Sequence, residues 1–121
     1  TETTLSTDLH PFLVDHAIDG VPYHPGVMAL EMFAENSLLM KPSACLAGFE
    51  DVSFGLPVKL LKGDMKVRVV ANLEESSEGT HRVKCTLVSD LMNSKGEVFG
   101  EREHHSAAVK IVQMTRFLVI F

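Results

Sequence analysis

The chain has 121 residues, of which 45% are apolar and 22% charged, and a formal net charge of −5. That is the composition of one ordinary globular domain. It excludes a nucleic-acid binder, because no basic stripe is present to neutralise phosphates. Cys45 and Cys85, the only cysteines, form no C-x-x-C pair, which excludes a disulfide framework and fits a reducing cytoplasm.

Residues 1–8 are a polar lead-in without the basic start and apolar core of a signal peptide. The chain begins without Met, as expected of a piece of something longer. Residues 10–14, His-Pro-Phe-Leu-Val, read as a short extended segment, with Pro11 biasing His10 away from helix. Asp19-Gly20-Val21-Pro22 has turn chemistry. Pro25-Gly26 then opens a helix that runs to about residue 40, where Lys41-Pro42-Ser43 stops it. Val27, Met28, Ala29, Leu30, Met32, Phe33, Ala34, Leu38, Leu39 and Met40 cover nearly every face, so the pattern predicts a helix buried all round. Glu31, Glu35 and Asn36 are its polar exceptions.

After residue 45 the pattern changes to strands over 46–54, 65–73, 82–90, 98–112 and 114–121. Residues 76–79 (Ser-Ser-Glu-Gly) and 93–96 (Asn-Ser-Lys-Gly) read as hairpin turns. Antiparallel strands around one buried helix make an α+β plan. No apolar run approaches the roughly 18 residues of a membrane helix. Lys59, Lys62, Lys66 and Arg68 form a thin, interrupted cluster that reads first as a solvated strand rim and second as a surface that could meet an acidic carrier protein. Cys85, between Val83 and Leu87, reads as core, and Met28, Met32 and Met40 as core filling. His104 and His105, adjacent in a strand, are expected on opposite faces and in solvent, not as a metal pair. His10, His24 and His81 have no partner at metal-ligand spacing, so no metal is expected.

The order segment, turn, helix, antiparallel strands resembles the hotdog fold. His10-Pro11-Phe12-Leu13-Val14-Asp15-His16 resembles the opening of polyketide synthase dehydratase domains. His16-x3-Gly20-x4-Pro25 matches their signature spacing, and the stretch from Pro25 to Glu35 resembles the start of their central helix. The resemblance is carried by residues 9–60 and looks closest to iterative, polyunsaturated-fatty-acid or enediyne-type synthases. His24 departs from it, since the family usually has an aliphatic residue before this proline.

The resemblance implies removal of water from a carrier-bound 3-hydroxyacyl thioester. His16 would be the base, with a pKa suited to neutral pH. The N–H of Gly26 at the helix N-terminus would polarise the thioester oxygen. Gly20 would set the turn before Pro25, and Tyr23 and His24 would line the pocket. Residues 1–121 would form one hotdog. In a tandem dehydratase that is the first half, the acid comes from the second half, and Glu31 is a buried structural carboxylate. In a homodimer Glu31 could be the acid, its pKa raised by burial. No metal or redox cofactor is implied; the acyl chain would arrive on the phosphopantetheine of an acyl carrier protein. A hotdog thioesterase and a non-catalytic dimerising hotdog are the alternatives. An open sheet edge in a single hotdog predicts pairing with a second.

Overall fold

The computed structural model describes residues 2–5, 17–18, 21–60 and 65–113. The segments expected at 10–14 and 114–121 lie outside them, as do His16 and Gly20.

In chain order the elements are β1 (Glu2–Leu5), β2 (Ala17–Ile18), β3 (Val21–His24), α1 (Gly26–Met40), β4 (Ala44–Phe54), β5 (Val58–Lys59), β6 (Met65–Ser77), β7 (Thr80–Met92) and β8 (Val98–Gln113). Five strands form an antiparallel sheet in the order β1-β6-β7-β8-β4, and β2, β3 and β5 form a small three-stranded ribbon. The long strands are where alternation placed them, extended by a few residues at their ends. α1 lies across one face of the sheet, mainly on β8 and also on β6, β4 and β7. The expected hotdog architecture is therefore present.

Two turns follow from local chemistry. Between β6 and β7, Glu78 (φ 51°) and Gly79 (φ 81°) both adopt positive φ. A two-residue hairpin loop of that hand matches the right-handed twist of its strands. Between β7 and β8, the Asn93 side-chain oxygen accepts from the N–H groups of Lys95 and Glu97, each at 2.9 Å. This is the local bonding that makes Asn a turn residue.

The helix is not buried all round. Ala29, Phe33 and Ser37, four residues apart, face the sheet and are fully enclosed. Val27, Glu31, Glu35 and Leu39 form the opposite stripe and are exposed. The composition of α1 concealed this because apolar residues stand on both stripes. Met32 packs against the core, as expected, but Met40 is exposed. The inner stripe meets Val67, Val69, Val83, Cys85, Val109 and Ile111 in one apolar cluster. Ser37 is accommodated there because its hydroxyl donates to the Phe33 carbonyl at 2.8 Å, one turn back. Cys85 is core, as expected, and burial pushes its thiol pKa up.

β4 is an edge strand whose described neighbour is β8 on one side alone. Its register on β8 shifts twice, between Leu46 and Gly48 and between Glu50 and Ser53, and Asp51 takes φ 51° in the second irregularity. Leu46, Val52 and Phe54 are exposed along this edge. β1 covers β6 only from Met65 to Arg68, so the other sheet edge is partly open among the described residues. No described helix is long and apolar enough to cross a membrane.

Candidate functional site

Pro25 caps α1 in an extended conformation (φ −62°, ψ 140°), and no side chain caps the helix. The first turn carries no acidic residue. Met28 N–H bonds back to the Pro25 carbonyl at 3.0 Å. The helix thus begins with backbone N–H groups and the positive end of its dipole that neither Pro25 nor a first-turn side chain compensates.

The approach to this terminus is fixed by pairing: Tyr23 stands opposite Lys59 and His24 opposite Val58, tying β3 to β5. His24 is thereby buried beside the helix start. Phe54, the last residue of β4, brings its ring against Gly26. A Cβ at position 26 would stand 2.7 Å from Phe54 Cδ1, so any other residue there must displace the ring. Behind Phe54, edge to face at a centroid distance of 5.4 Å, stands the imidazole of His105. His24, Gly26, Phe54, Pro57 and His105 line a cleft of about 420 Å³ at the helix N-terminus.

The histidine pair departs from expectation. His104 and His105 are 3% and 6% exposed, not in solvent. The physical reason is a bulge. Leu87 pairs with His105 but Val88 pairs with Glu103, so His104 is the extra residue in β8 and strict alternation fails there. His104 is fully engaged: its Nδ1–H donates to the Leu56 carbonyl at 3.0 Å, and its Nε2 lies 2.7 Å from Ser89 Oγ. Its own carbonyl accepts from Gly55 N–H at 2.9 Å. These bonds pin the 54–57 loop over the cleft. Among the described residues, no side chain hydrogen-bonds either ring nitrogen of His105. Burial, and then the neighbouring His104, push its pKa down. The run Glu101-Arg102-Glu103 ahead of the pair breaks alternation in the sequence; that was the available signal for a bulge.

Of the expected site residues, Pro25 and Gly26 stand at the cleft, and Tyr23 is on β3 one residue ahead of it. Gly26 is in contact with Phe54, which the sequence did not link to it. Glu31 is exposed on the outer stripe of α1, so the expected burial of its carboxylate is corrected within this chain. No carboxylate is among the described residues lining the cleft. His16 and Gly20 lie outside the described residues.

A larger concavity, about 560 Å³, lies elsewhere, around Arg82. Arg82 donates to Glu50, Asp51 and Glu74 at 2.9, 2.6 and 3.0 Å, and Lys110 pairs with Glu50 at 2.8 Å. The Lys110 ammonium bonded to Glu50 holds that carboxyl below its usual range. Both cations are held by carboxylates, which describes a surface ion network and not a reactive site. Among the described residues no His, Cys, Asp and Glu side chains group as a metal site.

Comparison with solved structures places the fold. The chain is similar to a hexameric hotdog thioesterase of Campylobacter jejuni, Cj0915, with TM-score 0.68 and 16% identity, covering 97% of this chain and 83% of that one. It is similar to the dehydratase domain from the CurJ module of the curacin polyketide synthase, with TM-score 0.66 and 20% identity, covering 94% of this chain but 37% of that one. A third likeness, to the dehydratase heterocomplex ApeI:P of Xenorhabdus doucetiae, has TM-score 0.59 and 20% identity over 98% of this chain and 76% of that one. No curated protein sequence matches the chain. The family profile described as polyketide synthase dehydratase domain matches residues 1–90, three quarters of the chain and the whole of the His16–Gly20–Pro25 stretch, and the chain belongs to that family.

Proposed function

We propose that this chain is a dehydratase unit that converts a carrier-bound 3-hydroxyacyl thioester to the 2-enoyl thioester. The observation that carries the reading is the cleft at an uncapped helix N-terminus, with glycine at its first turn. A thioester oxygen that gains negative charge in the reaction is stabilised by such N–H groups. Gly26 N–H polarises the carbonyl and His16 removes the C2 proton. The electron pair then expels the C3 oxygen as water once an acid has protonated it. His16 directly precedes Ala17, whose partner is Pro22, two residues ahead of the cleft histidine His24. Chain connectivity supports His16 as the base.

The acid crosses an interface in this reading, because the described cleft has no carboxylate of its own. Glu31 on the outer stripe of α1 supplies it in a homodimer; in a tandem arrangement the second hotdog supplies it. The exposed edge of β4 and the outer face of α1 are the surfaces for either partner. The acyl chain arrives on the phosphopantetheine of a carrier protein, without a metal or redox cofactor. The synthase it serves is, in this reading, of the iterative, polyunsaturated-fatty-acid or enediyne type.

The test is turnover of 3-hydroxybutyryl pantetheine thioester by the chain, beside His16→Ala. Enoyl absorbance that disappears in the variant is the expected result. Release of free thiol without enoyl product would instead establish hydrolysis, and with it the hotdog thioesterase.

A further inference from the structure

Phe54 has no part in the proton transfers above, yet its ring takes the space that glycine leaves open at the start of α1. A Cβ on Gly26 would stand 2.7, 2.9 and 3.2 Å from Phe54 Cδ1, Cε1 and Cγ, so one edge of the ring fills that position. In a helix the Cα–Cβ bond tilts toward the N-terminus. The ring therefore lies on the N-terminal side of Gly26, beside the N–H groups that open the helix. The backbone that carries it is held. Phe54 pairs with His105, and the next N–H, from Gly55, donates to the His104 carbonyl at 2.9 Å. Gly55 has no room for a side chain there, since a Cβ would stand 2.7 Å from that same oxygen. The ring rests edge to face on the buried imidazole of His105, and it is half-exposed where it lines the cleft.

We propose that Phe54 is a specificity-determining residue: its ring walls the cleft beside Gly26 and restricts the acyl thioester to chains unbranched at C2. This rests on the dehydratase reading of the cleft, in which the thioester oxygen lies on Gly26 N–H. The carbonyl carbon is one bond from that oxygen and C2 is two bonds from it, so C2 stays next to Gly26. Phe54 carries the largest side chain of the cleft, and the three atoms nearest to the vacant Cβ position of Gly26 all belong to it. A methylene at C2 fits along the flat ring. A second and third carbon on C2 would have to displace the ring, which is wedged between Gly26 and His105. Glycine at position 26 thus makes room for the ring, and the ring in turn sets the width of the cleft at the reacting carbon.

The experiment measures binding of butyryl pantetheine and 2,2-dimethylbutyryl pantetheine to the full chain by calorimetry, for wild type and Phe54→Ala. Neither compound has a 3-hydroxyl to lose, so the readout is a ratio of dissociation constants undisturbed by dehydration. Wild type is expected to prefer the unbranched compound by about tenfold or more, the scale on which an apolar pocket senses a methylene, and Phe54→Ala to bring the ratio near one. A ratio unchanged in folded Phe54→Ala, or wild type that binds both compounds alike, overturns the assignment while the cleft reading stands. Folded wild type that binds neither compound overturns both. In case the variant fails to fold, the Phe54 ring protons and the Gly26 amide of wild type are followed by NMR as butyryl pantetheine is added. Both are expected to shift. A Gly26 shift with the Phe54 ring unmoved sinks the proposal alone, and no shift of either sinks it together with the cleft reading.

Discussion

Phe54 Cδ1 lies 2.7 Å from where a Cβ on Gly26 would stand, so the last residue of β4 and the first of α1 share one space. This contact closes one side of the cleft, and it ties the β4 edge to the helix terminus. A partner that pairs with β4 therefore acts close to the cleft.

Gly26→Ala is expected to push the Phe54 ring aside, not to unfold the chain. Phe54 is 51% exposed and has room to move. The stability loss is expected at about 1–2 kcal/mol, the range of mild overpacking. In a Phe54→Ala background the same substitution should cost much less. A double-mutant cycle by urea unfolding measures this coupling, and additive effects would show that the ring does not obstruct position 26.

His104→Ala removes the donor to Leu56 and the partner of Ser89 in a buried place. Leaving both groups unsatisfied is expected to cost roughly 2–6 kcal/mol, since each buried orphan costs about 1–3 kcal/mol. Ser89→Ala should cost less, because it spares the Leu56 bond. Chemical denaturation of the two variants checks the order.

The pKa of His105 is lowered from 6.5 by burial first and by His104 second. The unfolded chain therefore binds more protons than the folded one between the folded pKa and 6.5. Stability from this group is present above pH 6.5 and is lost as pH falls through that window. Melting temperature measured from pH 7.5 to 5 is expected to fall, and His105→Phe should flatten the fall. An identical slope in the variant would assign it to another group.

Leu46 and Val52 are exposed on the β4 edge. The chain is expected to self-associate through this edge, and a Leu46→Lys/Val52→Lys double variant to be monomeric, because charge on an edge strand blocks pairing. Sedimentation velocity distinguishes the two. A monomeric wild type would leave β4 without a partner of its own kind.

Glu31 stands in solvent on α1. Glu31→Gln is expected to change stability by no more than about 0.5 kcal/mol, as surface changes do. If the homodimer supplies the acid, the same variant lowers enoyl formation by about 10²-fold, the lower scale of general acid catalysis. Unchanged turnover would assign the acid to a second hotdog.

The sequence by itself determined the long strands, the β6–β7 turn, the start and end of α1, and the helix-terminal Gly26. Each is local: period-two alternation in residues 65–73 and 82–90, Glu78-Gly79 at positive φ, Pro25 before the helix and Pro42 after it. Tertiary structure decided the rest. It chose which stripe of α1 faces inward, because apolar residues on both stripes left that to packing against Val67, Val83 and Val109. It buried His104 and His105, because a bulge depends on the register of two partner strands and not on β8 alone. It put Phe54 on Gly26, a meeting of residues 28 positions apart that no local pattern encodes.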